Sequence, residues 1–126
     1  MDIDKKIEFS SIMIDRNYNL VSFNDFAVIT AEFTIGKKLK KSMSVLSLIE
    51  KENNESSIKI FKKAFEGEFI RKVFTNRMKT GEEAIVEYFY SPVFDSMNKV
   101  KYVLINAVNV TENHLLGKAL EESPVS

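Results

Sequence analysis

The sequence predicts an α+β domain built on a five-stranded antiparallel sheet, and three observations lead to this prediction. Residues 84–91 and 100–110 are rich in β-branched and aromatic side chains, which favour pleated, buried strands, and they predict a long β-hairpin. Shorter runs at 10–15, 20–23 and 68–78 also have strand character. Helical patterns lie between the second and third of these strands, an order typical of an antiparallel α+β sheet.

The composition is that of one soluble globular domain. The 126 residues are 44% hydrophobic and 29% charged, and the formal net charge is zero. A neutral chain has no global field that would draw it to nucleic acid, so we expect no such partner. The absence of cysteine excludes disulfides, thiolate metal sites and a cysteine nucleophile. No apolar run is long enough for membrane insertion, and the N-terminus lacks the apolar core of a signal peptide, so we expect a cytoplasmic protein or a cytoplasmic piece of a larger one.

The chain is predicted to open with a short terminal segment and a hairpin. In residues 1–9, Ile3 and Ile7 are four positions apart, a spacing that allows a short amphipathic turn capping the domain. Residues 10–15 and 20–23 then form two strands joined by a polar turn.

The first helix has a recognisable start and end. Asn24 and Asp25 can each cap its first turn, because a side-chain oxygen accepts a hydrogen bond from a free N–H group. Gly36 ends the helix, since glycine tolerates the left-handed conformation that often follows a last turn. The apolar and small residues that follow the caps at helical spacing are Phe26, Ile29, Thr30 and Phe33.

Four lysines follow this glycine, within residues 37–41. They could form a phosphate-binding patch or simply the solvated face of a loop. The loop interpretation is favoured because no aromatic residue alternates with the lysines and the net charge is zero. Residues 42–49 predict a short helix or turn.

The clearest helix begins at Asn54, Ser56 or Ser57 and runs to Glu66, where Gly67 stops it. Its lysines are predicted to lie on the solvent-exposed side of the helix. Its apolar stripe consists of Ile58, Phe61 and Phe65, backed by Ala64.

The third strand and the central hairpin come next. In residues 68–78, Ile70, Phe74 and Asn76 share one side. Pro92 has no N–H group and is predicted to end the first hairpin strand, which leaves 92–99 as the connection.

Both faces of the hairpin are apolar, whereas a sheet with one solvated face alternates apolar and polar residues. One side should lie under the helices, where its residues either line a ligand pocket or fill the core. The candidate pocket residues are Phe61, Phe65, Phe74, Asn76, Tyr88, Tyr90 and Ile105. The other side needs a cover, and its residues are Ile85, Phe89, Tyr102, Leu104 and Val108.

The terminal segments offer only a narrow cover for that side. Residues 112–122 predict a helix with a stripe of three leucines, and the N-terminal turn adds two isoleucines. A soluble monomer rarely leaves a large apolar patch bare, so we expect a second copy to complete the cover in a symmetric homodimer.

The order of the elements, and the residues that begin and end them, resemble those of the PAS domain, a widespread sensory module. The resemblance covers residues 10–111, leaving 1–9 as a cap segment and 112–126 as a C-terminal helix and tail. The residues that carry it are Asp15, Asn24, Gly36, Ala64, Gly67, Gly81, Pro92, Val93, Asp95 and the run Asn109-Val110-Thr111-Glu112. Asn109 stands where the family has Asp, which could weaken its link between the sheet and an output helix.

The resemblance implies a sheet with strand order 2-1-5-4-3 and helices on its concave face. It also implies a non-enzymatic sensing or interaction role, with a histidine kinase, cyclase or transcription factor as output.

Flavin photochemistry in this family needs a cysteine, which the chain lacks. Asn76 matches one flavin-contacting position, but Val86 and Ala107 replace other polar contacts. Haem binding needs a histidine on the long helix, and the chain's one histidine is His114. We therefore predict a colourless protein without these cofactors, and binding of another small molecule stays open.

Two other functions remain as alternatives. One is a small enzyme of the cone-shaped isomerase or dehydratase type, which would need an acid or base within hydrogen-bond reach of Tyr88 or Tyr90. No carboxylate or histidine shares their face, and the long helices of that fold come first in the chain. The other alternative is a scaffold domain that binds no small molecule.

Overall fold

The structure, a computed structural model, describes residues 9–111, and the predictions for residues 1–8 and 112–126 lie outside this range. The strands are β1 (Ser10–Ile14), β2 (Leu20–Phe23), β3 (Ile70–Arg77), β4 (Glu83–Phe94) and β5 (Val100–Asn109), and the helices are α1 (Asp25–Ile35) and α2 (Asn54–Phe65). Two short 3-10 helices, Val45–Leu48 and Lys51–Asn53, precede α2. No helix in the described range is long and apolar enough to cross a bilayer.

The five strands form one antiparallel sheet in the order β2-β1-β5-β4-β3. The first and last strands are neighbours at its centre, where Ile12 pairs with Ile105 and Ile14 pairs with Val103. Ile14 and Val103 are both fully buried, as central, helix-covered positions should be. The fold class and the strand order expected from the sequence are therefore confirmed.

The caps of α1 lie where the sequence predicts them. The Asn24 side-chain oxygen accepts hydrogen bonds from the Ala27 N–H at 2.9 Å and the Ser11 N–H at 3.1 Å. Asn24 thus satisfies a free donor of the helix and also fixes the helix start to β1. Gly36 ends the helix with φ of 67°, a left-handed conformation that glycine adopts without strain.

The large apolar residues that predict α1 are not the ones that bury it. Ala27 and Ala31, one turn apart, are buried against the core. Ile29 and Phe33 point the other way and are 63% and 61% exposed. Small side chains let this helix lie close to the sheet, and the large residues are left outside.

Pro92 does not end β4, and this prediction was wrong. The strand continues through Pro92 to Phe94, so the connection is shorter than predicted. The backbone N–H and C=O groups of Ile85 both form hydrogen bonds on the β5 side, to Thr111 and Val110. The backbone groups of odd-numbered residues in β4 therefore point towards β5, and the backbone nitrogen of Pro92 points towards the opposite edge. The pairing of β3 with β4 begins at Ile70 and Tyr90, so β3 has no residue beside Pro92 that would need its N–H.

Helix α2 packs on the inner side of the sheet through aromatic residues. Phe61 is 2% exposed and Phe65 is 7% exposed, as their place in the predicted stripe requires. Ile60 is also buried, whereas Ile58 of the predicted stripe is only half-buried. The ring of Tyr18, from the turn after β1, lies 5.4 Å from that of Phe61.

Arg16 joins the first turn of the chain to two distant elements. Its guanidinium donates hydrogen bonds to the backbone oxygens of Val100, at 3.0 Å, and Phe65, at 3.4 Å. The same group lies 5.3 Å from the centre of the Phe65 ring. A cation at the C-terminal end of α2 also suits the helix dipole.

Candidate functional site

The candidate site is an aromatic layer between α2 and the inner side of β3 and β4. We define it by the side chains of Phe61, Phe74, Tyr88 and Tyr90. The ring centres of Tyr88 lie 5.6 Å from Phe74 and 6.2 Å from Tyr90, and Phe61 lies 6.0 Å from Tyr90. Tyr88 and Tyr90 share a face because they alternate along β4, and α2 brings Phe61 down onto them.

One polar pair lies inside this apolar layer. The Asn76 amide nitrogen donates a hydrogen bond to the Tyr88 hydroxyl at 2.6 Å. Asn76 is half-buried near the end of β3 and belongs to the same inner side as Phe74. The hydroxyl of Tyr88 thereby gains a partner, which a buried phenol needs.

Both tyrosines are held in their neutral form. Burial raises the pKa of the Tyr88 hydroxyl above its usual value, and the hydrogen bond from Asn76 offsets part of that rise. Burial also raises the pKa of Tyr90, and the charge that Tyr88 would carry adds to this effect. At neutral pH the layer therefore offers hydrogen-bonding hydroxyls and no charge.

All predicted pocket residues lie on this inner side. Ile105 pairs with Tyr90 on the neighbouring strand and is 5% exposed. Phe65 is at the far end of the layer, beside Tyr18 and Arg16. The structure thus brings the set together, and its role in binding stays a prediction.

A surface depression at that far end was not foreseen from the sequence. It encloses about 230 Å³ and is lined by Arg16, Tyr18, Lys62, Phe65 and Glu66. These residues come from a turn and from the end of α2, so nothing in their sequence spacing could have grouped them. The sequence signal closest to it is an arginine two positions before a tyrosine in one turn, Arg16 and Tyr18.

The inner side of the sheet carries the exposed side chain of Lys72 directly opposite Tyr88 in the strand register. Strand pairing places Lys72, Ala84, Val86 and Ala107 on that side beside the residues already named, and none is a carboxylate or histidine. Between residues 9 and 111, no three His, Asp or Glu side chains come close enough together to hold a metal ion. The site has the chemistry of binding by stacking and hydrogen bonding.

The outer face of the sheet carries the five residues predicted to need a cover: Ile85, Phe89, Tyr102, Leu104 and Val108. All five are half-buried. Their surroundings are more polar than the sequence suggested, because Arg71 and Glu87 form an ion pair there. The outer face also holds Asn106, whose side-chain oxygen is buried without a hydrogen-bond partner in the described part of the chain.

Asn109, which stands where the family has Asp, bonds to Thr111 at the end of β5, and the expected weakening of a link to an output helix stays a prediction because residues 112–126 lie outside the described range. Its side-chain oxygen accepts hydrogen bonds from the Thr111 N–H at 3.0 Å and from the Thr111 hydroxyl at 2.7 Å. The Thr111 hydroxyl in turn accepts the N–H of Ile85 at 2.7 Å. An amide oxygen can accept both bonds, so the exit from β5 is fixed to β4 without a carboxylate.

Comparison with known proteins identifies the fold. No protein-family model matches the sequence, and no curated protein matches it. Among solved structures, the PAS domain of BvgS from Bordetella pertussis is 16% identical, with a TM-score of 0.68, and the match covers 90% of this chain and 85% of that chain.

Two further structures agree with it. The N-terminal domain of a diguanylate cyclase with a PAS/PAC sensor from Marinobacter aquaeolei is 13% identical, with a TM-score of 0.64 over 85% of this chain and 99% of that chain. A sensory box sensor histidine kinase from Vibrio cholerae is 12% identical, with a TM-score of 0.60 over 83% of this chain and 81% of that chain. The chain has a PAS-type fold, as its sequence motifs indicated.

Proposed function

We propose that this chain is a sensory module that takes up a small molecule in the aromatic layer and passes a signal to an output partner such as a histidine kinase or cyclase. The observation that carries the proposal is the Asn76–Tyr88 hydrogen bond within that layer. The module acts by binding and not by catalysis, a proposal supported by an inner sheet face that offers hydroxyls, an amide and Lys72 but no carboxylate or histidine in the described range.

The polar pair favours a binding role over simple core filling. Burying an amide and a phenol costs desolvation free energy that a purely apolar layer would avoid. The pair presents one donor and one acceptor beside two stacked tyrosine rings. That arrangement suits a flat aromatic molecule with a single hydrogen-bonding group.

Strand β4 connects the aromatic layer to the outer face of the sheet. Its inner side carries Tyr88 and Tyr90, and its outer side carries Ile85 and Phe89, so a shift of this strand moves both faces. We propose that the outer face pairs with a second copy in a homodimer, and that occupancy of the aromatic layer changes this packing. The known proteins named above supply the class of output, since their descriptions include a sensor histidine kinase and a diguanylate cyclase. We expect the module to act in the cytoplasm.

The test is a titration of small aromatic probes against thermal stability. Indole and 4-hydroxybenzoate are added to the unmodified chain and to two matched variants, Tyr88→Phe and Tyr102→Phe. We expect a probe to raise the melting temperature of the unmodified chain. Tyr88→Phe should weaken its binding about tenfold, because the inner hydroxyl is lost. Tyr102→Phe removes an outer-face hydroxyl and should leave binding unchanged.

Equal binding to both variants would exclude the aromatic layer as the site. If neither probe shifts the melting temperature, and native mass spectrometry finds no small molecule carried through purification, the scaffold function replaces the sensory one. The observation behind this scaffold alternative is the close packing of Phe61, which is only 2% exposed.

A further inference from the structure

Strand β3 forms one edge of the sheet, and half of its backbone groups have no strand partner. The backbone groups of Ile85 point towards β5, so those of even-numbered β4 residues point towards β3. The strand register pairs these residues with even-numbered residues of β3. The N–H and C=O groups of Arg71, Val73 and Thr75 therefore point away from the sheet, and no hydrogen bond between residues 9 and 111 reaches them. A row of this kind is a template for another β-strand.

The opposite edge of the sheet is covered, which sets β3 apart. In β2, the Leu20 N–H donates a hydrogen bond to the Met43 carbonyl, and the Leu20 carbonyl accepts one from the Ser42 N–H, each at 2.8 Å. Both partners belong to the loop that follows α1. Strand β3 instead pairs with β4 along its whole length without a bulge, and it contains no proline. It therefore lacks two of the devices by which edge strands avoid pairing.

The outer-face side chains along the β3 edge are exposed from end to end. They belong to the odd-numbered residues from 69 to 77, and each of the five is exposed. Two of them are apolar, since Phe69 is 61% exposed and Val73 is 55% exposed. The edge thus offers both its backbone groups and apolar side chains to an incoming strand.

Charged side chains also protect edge strands, but those of β3 are largely neutralised by β4. Arg71 forms an ion pair with Glu87, and an Arg77 guanidinium nitrogen lies 3.9 Å from a Glu83 carboxylate oxygen. Lys72 has no carboxylate partner in the described part of the chain, and it points to the inner side of the sheet. The outer-face row of one β3 strand therefore carries little net charge against another.

The free backbone groups and the side chains together select one register. Two antiparallel β3 strands must set odd-numbered residues against odd-numbered residues, since these carry the free groups. Two such registers align all but one of the eight residues of each strand. If residues 71–77 align, Arg71 faces Arg77 of the second copy, and like charges directly opposite weaken strand pairing. If residues 70–76 align, Val73 faces Val73, and Arg71 faces Thr75.

We infer that β3 is a self-association edge, to which β3 of a second copy adds antiparallel about a two-fold axis at Val73. The two sheets then form one continuous sheet through about six new backbone hydrogen bonds. Just beyond the aligned residues, Arg77 of each copy meets the exposed ring of Phe69 of the other, a favourable cation–aromatic contact. On the inner side, Lys72 of the second copy faces Phe74, which adds a cation beside the aromatic layer.

The contact is a single pair of strands, and its strength follows from its size. It is smaller than the roughly 1,200 Å² of a stable interface, so we expect weak association in solution. The association strengthens when two copies are already held together by another contact. The β3 edge is separate from the proposed outer-face dimer, and a chain that used both surfaces would form larger assemblies.

The test uses the absence of cysteine from the chain, which makes single-cysteine variants specific probes. Val73→Cys places a thiol at the two-fold axis, where facing Cα atoms are about 5.5 Å apart, within the range of a disulfide. Thr75→Cys is the matched control on the same exposed row, and in the inferred register its two thiols are more than about 13 Å apart. Under mild oxidation we expect Val73→Cys to form a disulfide dimer at least about tenfold faster than Thr75→Cys. Equal rates, or a faster control, would overturn the inference.

A mixing experiment tests the antiparallel register. Residues 71 and 75 face each other across the axis, so a mixture of Arg71→Cys and Thr75→Cys chains should form the mixed disulfide at least about tenfold faster than either chain forms its own. Loss of the surface ion pair of Arg71 has little effect on stability. Mass spectrometry of the oxidised products separates the three dimers. A statistical mixture of them would contradict the register.

A last variant separates this inference from the outer-face dimer. Leu104→Lys disrupts that proposed dimer and should leave the preference for Val73→Cys over Thr75→Cys intact, even where both rates fall. Persistence of the preference supports the β3 edge whether or not the outer-face proposal holds. Its disappearance in the Leu104→Lys background would show that the edge contact depends on the other surface, and would overturn β3 as an interface of its own.

Discussion

The outer face of the sheet and the outward side of α1, formed by Phe26, Ile29 and Phe33, are both apolar surfaces, but they differ in exposure. The outer-face residues are half-buried and stand among an ion pair and Asn106, whereas Ile29 and Phe33 are more than half exposed. The sequence drew attention to the first surface, because two-residue alternation shows at once that both sides of a strand are apolar. The helical spacing of Phe26, Ile29 and Phe33 is also visible in the sequence, but the side that they face is not, because Ala27 and Ala31 make the other side of α1 apolar as well.

The largest expected effect separates buried from exposed aromatic residues on the two helices. Phe65→Ala should lower the free energy of unfolding by about 3–5 kcal/mol, because it removes a buried ring of α2. Phe33→Ala removes an exposed ring of α1 and should cost less than about 0.5 kcal/mol. Urea titration of both variants measures the difference. A similar loss in both would mean that Phe33 and the outward side of α1 are covered in solution.

A second experiment compares the two surfaces as interfaces. Leu104→Lys should raise the dissociation constant of the proposed outer-face dimer by at least about tenfold, since it places a charge in an apolar contact. Phe33→Lys should change that constant far less. Sedimentation velocity over a range of concentrations measures both. A monomeric unmodified chain at high micromolar concentration would contradict the outer-face dimer.

The buried tyrosines give stability a predictable pH dependence. Burial raises the pKa of Tyr90 in the folded chain, so above the ordinary tyrosine value near 10 the unfolded chain loses this proton first. The contribution of Tyr90 is thus complete below pH 10 and declines as the pH rises beyond it. At pH 11 the unmodified chain should have lost about 1 kcal/mol more than Tyr90→Phe, each relative to pH 8. Identical pH profiles in urea titrations would contradict this.

The smallest effect is expected at the exit from β5. Asn109→Asp should change the free energy of unfolding by less than about 0.5 kcal/mol, because a carboxylate accepts the same two bonds from Thr111. Asn109→Ala loses both acceptors and should cost about 1 kcal/mol. Thermal unfolding of the pair checks this. A large loss in Asn109→Asp alone would show that the amide donates a bond of its own.

The parts predicted from the sequence are those set by local rules. Asn24 and Gly36 mark the ends of α1 through backbone chemistry that depends on near neighbours alone. Alternation along β4 placed Tyr88 and Tyr90 on one side, and the contact of Tyr90 with Phe61 followed once α2 was identified.

The parts that could not be predicted depend on elements far apart in the chain. Pro92 stays within β4 because β3 begins opposite Tyr90, which no local pattern reveals. The depression beside Arg16 needs the turn after β1 and the end of α2 to meet. The outward direction of Ile29 follows from the fit of two alanines against the sheet, which is a matter of packing and not of periodicity.

The pairing of β1 with β5 has a consequence for synthesis of the chain. Ser10–Ile14 is made first among the strands, yet its central partner, residues 103–107, is made last. The sheet therefore cannot close before residues 103–107 have been made, and until then one edge of β1 has no strand partner. Contacts between distant residues slow folding, and an unpaired edge invites pairing with other chains. Ribosome stalling before residue 103 would leave a nascent chain in need of a chaperone.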